Sequence, residues 1–179
     1  MNTIKYLTIQ LFGRFPFVNG NKLLINCLRK EGCKIGYDTH LFSNVSPEEP
    51  YLVEIGNNCT ISTEVSFITH DASVGLFFER KNLSDVCGKI TIGNNCFIGN
   101  RVVLMYGVNI PDNTIVAAGS VVTKSIKEQG CIVGGNPAKV IGKVSNFMEK
   151  SKKYALNLHG SNSKDRRCII EESNKLITR

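Results

Sequence analysis

The sequence predicts an all-β chain, a parallel β-helix coiled in six-residue steps, with short helical segments at its N- and C-terminal ends. Three observations predict it. From Ile92 to Lys127 an aliphatic residue occupies every sixth position: Ile92, Ile98, Leu104, Ile110, Val116 and Val122. Four residues after each stands a second side chain of modest volume, in the series Cys96, Val102, Val108, Thr114, Ser120 and Ile126. Gly93, Gly99 and Ala117 directly follow three of the aliphatics, where a turn leaves little room. A period of six is neither the 3.6 of a helix nor the alternation of a single strand. Short strands stacked one coil apart bury a column of Ile and Val and pair their backbones with the coils on either side.

Residues 1–32 read as an N-terminal cap. Apolar side chains fall at roughly helical spacing in 3–12 and again in 21–31, with Gly13, Pro16 and Gly20 between them. Two short helices, or a helix and a loop, fit equally. Such a segment covers the open end of a stack; an amphipathic segment making a weak membrane-surface contact is the alternative.

The repeat domain spans 33–143. It starts at Ile35-Gly36, continues through Leu41 and Val45, and resumes at Ile55-Gly56, Cys59, Ile61 and Phe67. Pro47, Glu48, Glu49 and Pro50 interrupt it as an irregular corner. The six-residue beat is lost from Thr69 to Lys89, and Phe67 and Ile92 are one residue more than four hexapeptides apart. The stretch near 70–89 therefore reads as an insertion loop thrown out from one corner, and solenoids often bind on the face that carries their insertions. After Val122 the stretch from Cys131 to Gly142 closes the stack in a turn at Asn136-Pro137. In 144–179 residues 145–158 are expected to form one helix, followed by weakly ordered chain with a short helix near 169–177.

At 179 residues the chain holds one domain with appendages. Of its net charge of +7, residues 143–179 supply nine Lys or Arg against four Asp or Glu, so the basicity belongs mostly to the tail. Aromatic and Arg residues are not interleaved as base stacking requires, which excludes nucleic acid as the expected partner. Seven cysteines include no CxxC pair, and an odd number cannot pair completely. With no apolar run of spanning length and no clean signal peptide over Met1–Phe17, a reducing cytoplasm is the expected location.

His70 stands where the regular coil gives way to the insertion. An imidazole titrates near neutrality and suits removal of a proton from an attacking hydroxyl. An isolated His at such a place is more often an ordinary polar turn residue. Asp71 is placed to orient the ring, a task that a backbone carbonyl also performs. His40 and His159 read as structural, and three scattered His do not suggest a metal site. Cys87, at the far end of the insertion, is the one thiol to check as a nucleophile.

The stretches Ile92-Gly93-Asn94-Asn95-Cys96-Phe97-Ile98-Gly99, Ala118 to Lys124 and Gly135 to Ile141 resemble the hexapeptide-repeat acyltransferases. They resemble in particular the branch of galactoside, maltose, xenobiotic and surface-polysaccharide sugar acetyltransferases. The resemblance covers about residues 33–143. It implies a left-handed β-helix of triangular section, three hexapeptides per coil, a hand opposed to the usual parallel crossover. It also implies a homotrimer with acetyl-CoA lying between subunits, and no metal.

Residue by residue, the resemblance implies His70 as general base and the backbone N–H of Asn100 as a donor to the oxyanion. Asn44 matches an acceptor-contacting Asn, Glu49 lies near an acidic acceptor position, and Asp71 adjoins the same site. Ala118 lies in the small-residue stretch that meets the pantetheine arm, while Thr123, Lys124 and Lys139 match positions near the nucleotide end of the coenzyme. Taken singly, each Lys is a solvated charge and Asn44 a turn former. Leu76, Phe77, Phe78, Glu79 and Arg80 either wall the acceptor pocket or pack on a neighbouring subunit.

The reading is acetyl transfer from acetyl-CoA to a sugar hydroxyl in surface-polysaccharide biosynthesis. The alternatives are N-acetylation of a nucleotide-linked amino sugar, acetylation of a xenobiotic, and a non-catalytic solenoid scaffold.

Overall fold

A computed structural model describes residues 20–43, 49–78 and 83–177. The expected helix over 3–12 and the residues Asn44, Val45, Pro47, Glu48, Glu79 and Arg80 lie outside the described residues. Helix α1 (Gly20–Lys30) precedes β1 (Lys34–Ile35), β2 (His40–Leu41), β3 (Val53–Ile55), β4 (Thr60–Ile61) and β5 (Ser66–Phe67). The insertion carries β6 (His70–Asp71) and β7 (Val86–Cys87). The stack continues with β8 (Ile90–Ile92), β9 (Phe97–Ile98), β10 (Val103–Leu104), β11 (Asn109–Ile110), β12 (Ile115–Val116), β13 (Val121–Val122) and β14 (Cys131–Gly134). Strand β15 (Lys139–Lys143) and helices α2 (Val144–Lys152) and α3 (Ser163–Glu171) end the described chain.

Three sheets are visited in rotation. The first face holds β1, β3, β8 and β11, the second β2, β4, β9, β12, β14 and β15, and the third β5, β10 and β13. Apart from the β14–β15 pair, every contact in these sheets is parallel. A chain that passes from face to face and pairs with itself one circuit later winds as a stack of three-stranded coils.

The register measures each circuit. Ile92 pairs with Ile110, and Leu104 with Val122, a separation of 18 residues or three hexapeptides. Ile35 pairs with Ile55 at a separation of 20, and Ile55 with Ile92 at 37. The first coil therefore carries two extra residues, and the second carries 19, all of them between Phe67 and Ile92. Nineteen is three hexapeptides and one residue, which explains the slipped beat seen in the sequence.

Inside, Ile35, Ile55, Ile92 and Ile110 line one face, Leu41, Ile61, Ile98, Val116 and Val133 the next, and Phe67, Leu104 and Val122 the third. All are buried. A column of small polar or thiol side chains, Thr39, Cys59, Cys96, Thr114 and Cys131, fills the corner between the first two faces. These side chains donate to carbonyls exposed by the turn: Thr39 Oγ1 to Gly56 O at 2.8 Å, Cys59 Sγ to Gly93 O at 3.0 Å, Cys96 Sγ to Pro111 O at 3.2 Å. A buried carbonyl left unbonded is costly, so the small polar residue is needed there.

Outside that corner Asn58, Asn95 and Asn113 share left-handed backbone, with φ between 52° and 57°. Asn tolerates this region better than other side chains, and each amide bonds the next, Asn58 to Asn95 at 2.9 Å and Asn95 to Asn113 at 3.1 Å. Gly93 is required on the adjoining turn, because a Cβ would lie 2.7 Å from the Asp112 nitrogen one coil away.

The stack is covered at both ends. Leu24, Ile25 and Leu28 of α1 are buried over the first coil. At the other end the chain turns at a cis Asn136–Pro137 bond and returns antiparallel, pairing Gly134 with Lys139 and Cys131 with Lys143. A returning strand thus follows the turn expected to close the stack. The tail departs from expectation as well. Its first helix stops at Lys152, and the second begins at Ser163, where the Asn162 side chain accepts from the N–H groups of Lys164 at 2.9 Å and Asp165 at 3.0 Å.

Candidate active site

The insertion leaves the stack at the corner between the third and first faces. Its base is a two-stranded antiparallel ribbon, His70 opposite Cys87 and Asp71 opposite Val86, closed by Gly88 N–H donating to Thr69 O at 2.9 Å. Gly88 is needed there, since a Cβ would lie 2.6 Å from the Gly107 nitrogen of the next coil. The ribbon holds His70 by backbone pairing with the Cys87 strand rather than on a loose loop.

Glu49 enters from the irregular corner of the first coil, just before a 3₁₀ turn at Pro50–Leu52. Its Oε2 lies 3.0 Å from His70 Nδ1, and the same oxygen accepts from the hydroxyl of buried Thr69. The Thr69 hydroxyl, and after it His70, holds the Glu49 carboxyl below the usual carboxylate range. Glu49 is therefore ionised at neutral pH and can only accept, so Nδ1 of the ring carries the proton between them. The basic lone pair of that tautomer is on Nε2. Both side chains are partly open to solvent, 29% for His70 and 21% for Glu49, so a small acceptor can reach the ring.

Asp71 is bonded elsewhere. Its Oδ1 accepts from the Ser73 N–H at 2.8 Å and its Oδ2 lies 3.4 Å from the Tyr106 hydroxyl. The bonds from Ser73, with a smaller contribution from Tyr106, hold its carboxyl below the usual range. The carboxylate beside the imidazole is Glu49, and Asp71 shapes the start of the insertion. Thr69 and Tyr106 were not singled out from the sequence. Tyr106 lies 37 residues after Thr69, the register offset between these two coils, and that offset shows only once the insertion's length is known.

Asn100 lies one face away, at the corner between β9 and β10. Its side-chain oxygen accepts from the Ser62 hydroxyl and its carbonyl from Gly119 N–H at 2.8 Å. Ala118 and Gly119 stack directly beyond it and are exposed, so this coil presents small residues at the corner. Thr123 and Lys124 follow β13, and Lys139 opens β15; all three are exposed. The structure thus groups His70, Glu49, Thr69, Asp71 and Tyr106 at one corner, and Asn100 and Ala118 at another. Six residues separate Asn100 from Tyr106 across the third face, a span on the order of 15–20 Å at strand rise.

The remaining titratable groups lie apart. His40 stacks on Phe42 with ring centroids 6.2 Å apart, and His159 is exposed in the tail. Cys87 is exposed opposite His70, while burial pushes the Cys33 thiol up to about 12. Among the described residues no three His, Cys, Asp or Glu side chains converge as metal ligands would.

Known proteins give this geometry a family. The profile described as "Hexapeptide repeat of succinyl-transferase" matches residues 89–124. Protein CapG of Staphylococcus aureus is 41% identical over 126 residues, covering 69% of this chain and 73% of CapG. The chain belongs to the hexapeptide-repeat acyltransferase family. Another relative, the galactoside O-acetyltransferase of Escherichia coli (strain K12), is 37% identical over 113 residues, 62% of this chain and 54% of that enzyme. The hexapeptide-repeat acetyltransferase VCA0836 of Vibrio cholerae, solved in complex with acetyl coenzyme A, shares the fold. Its TM-score is 0.57 at 19% identity, covering 78% of this chain and 85% of that one. The stacked coils are thus those of hexapeptide-repeat acyltransferases, and the ribbon that carries His70 is inserted into the second coil.

Proposed function

We propose that this acyltransferase moves an acetyl group from acetyl-CoA to the hydroxyl of a sugar, with His70 as general base. The observation that carries the reading is the 3.0 Å contact of His70 Nδ1 with Glu49 Oε2 at the base of the insertion. With Nδ1 donating to that carboxylate, Nε2 is the ring nitrogen that takes the proton, and Glu49 supplies a negative charge to balance the imidazolium formed in the reaction. The galactoside O-acetyltransferase relative and the acetyl coenzyme A complex of the VCA0836 fold support the choice of acceptor and donor.

In this mechanism Nε2 takes the hydroxyl proton as the sugar oxygen attacks the thioester carbonyl. The tetrahedral oxyanion accepts from the Asn100 backbone N–H, a contribution worth about 3 kcal/mol in comparable sites. Collapse breaks the C–S bond, and the departing thiolate recovers the proton from His70. Ala118 borders the pantetheine arm, and Thr123, Lys124 and Lys139 meet the nucleotide phosphates. Glu49 positions His70. Asn44 and Asp71 contact the acceptor. The acceptor belongs to surface-polysaccharide synthesis, carried out in the cytoplasm.

The coils wind left-handed, and three chains assemble in parallel. Support for the assembly comes from the separation of His70 and Asn100 by a whole face, which no single chain closes. Side by side, one chain's His70 corner meets the next chain's Asn100 corner, and acetyl-CoA lies between them. The third face, which separates the two corners, presents Ser66, Val103 and Val121 outward, a small and mostly apolar surface suited to close approach.

The test is His70→Ala. Acetyl transfer is expected to fall by about 10²- to 10⁴-fold, while coenzyme A still raises the thermal midpoint as it does for the native protein. Near-native turnover would remove His70 from the mechanism, and absence of any coenzyme A shift in the native protein would favour a scaffold. Mass spectrometry of acetylated products from a panel of sugars, nucleotide sugars and amines identifies the acceptor.

A further inference from the structure

Beyond the acetyl-transfer site, the strongest unexplained feature is the surface formed by β15 and α2 at the C-terminal end of the stack. Val140 and Ile141 of β15 are 51% and 64% exposed, and Phe147 and Met148 of α2 are 48% and 60% exposed. Val144, Phe147, Met148 and Ser151 share one helical face at spacings of three and four, with Lys150 and Lys152 flanking it on either side. No side chain of α2 is buried. A nine-residue helix is shorter than an isolated helix needs for stability in water. Its apolar face therefore calls for a partner.

The charge around that face says what kind. From Lys139 to Lys153 the chain carries five lysines and one acidic residue, Glu149. Exposed apolar side chains bordered by lysines are the composition of a segment lying in the headgroup region of a bilayer, where the stems lie along the apolar boundary and the ammonium groups reach lipid phosphates. A protein partner would have to be strongly acidic to match this charge, whereas an anionic lipid surface matches it everywhere.

We propose that the β15–α2 surface docks on an anionic lipid bilayer, with Ile141, Phe147 and Met148 at the acyl boundary and Lys150, Lys152 and Lys153 among the phosphates. In a parallel trimer all three such surfaces lie at one end of the assembly, so docking is threefold and its avidity exceeds that of one patch.

The test sediments the full chain with phosphatidylglycerol–phosphatidylcholine vesicles and with phosphatidylcholine vesicles, at low and high salt. Binding is expected to the anionic vesicles at low salt and to be lost with the neutral lipid or at high salt. Lys150→Gln/Lys152→Gln is expected to weaken it about thirty-fold for each docked patch, at ~1 kcal/mol per lysine, and Phe147→Ser/Met148→Ser to weaken it at least tenfold. Both variants should keep the native thermal midpoint. The proposal is overturned if the native protein ignores anionic vesicles, or if both variants bind as the native protein does. It is overturned as well if Phe147→Ser/Met148→Ser changes the sedimentation coefficient without lipid, which would make this face a contact between copies. Vesicle binding reads this surface whether or not the chain acetylates a sugar.

Discussion

A carboxylate held against an imidazole fixes the ring's tautomer and stabilises its protonated form, and the two effects separate under mutation. Glu49→Gln keeps a hydrogen-bond partner for Nδ1 but removes the charge. The expected result is a loss in kcat of roughly tenfold with KM little changed, and an acid limb of the pH–rate profile moved to lower pH, because the imidazolium has lost its counter-charge. An unmoved limb would make Glu49 a packing residue. Glu49 also bears on stability. Its carboxyl is held below the ordinary range in the folded state, so its contribution is complete above the unfolded value of about 4.3 and is lost as pH falls through the folded value. Acidification below that point is expected to lower the thermal midpoint of the native protein more than that of Glu49→Gln. At this scale the sequence was legible in part. His70 announced itself by standing where the period breaks. The partner of its ring did not, because Glu49 lies 21 residues away across a coil with two surplus residues, and only the folded register brings it to His70.

Each hexapeptide contributes an inward aliphatic on its strand, and the element's stability depends on that side chain matching its neighbours one coil above and below. Ile98 pairs with Ile61 on one side and Val116 on the other and is fully buried. Ile98→Ala is expected to cost 2–5 kcal/mol, read as a lowered denaturant midpoint. Gly93→Ala, which adds a Cβ 2.7 Å from the Asp112 nitrogen, is expected to cost ~1–3 kcal/mol by forcing two coils apart. A Gly93→Ala protein as stable as the native one would show that the coil spacing yields easily. These elements were legible because burial imposed its period on the residues one by one. β15 and the start of α3 were less so. Lys139 to Lys143 carries no alternation of buried and exposed positions, being open over most of its length. Asn162 caps a helix whose sequence, rich in Lys, Arg and Ser, has little apolar stripe to mark it.

For the whole molecule, the proposed sharing of the site between the corners of two chains in a trimer predicts complementation between inactive chains. His70→Ala chains lack the base, and Ala118→Trp chains block the corner reserved for the pantetheine arm. Each alone should be inactive. Refolded together in equal amounts they should regain about a quarter of native activity, since random assembly into a cyclic trimer pairs an intact base with an intact corner at that frequency. No recovery despite mixed assembly would put both halves of the site within one chain. The ends of the stack have a further consequence. Parallel coils offer at each end the same hydrogen-bonding edge they offer each other, which is the geometry of a filament able to lengthen indefinitely. The last strand here runs the opposite way to the coil beneath it, and a helix lies over the first. A second molecule arriving end-on finds no coil of matching polarity to continue, so the stack stays finite.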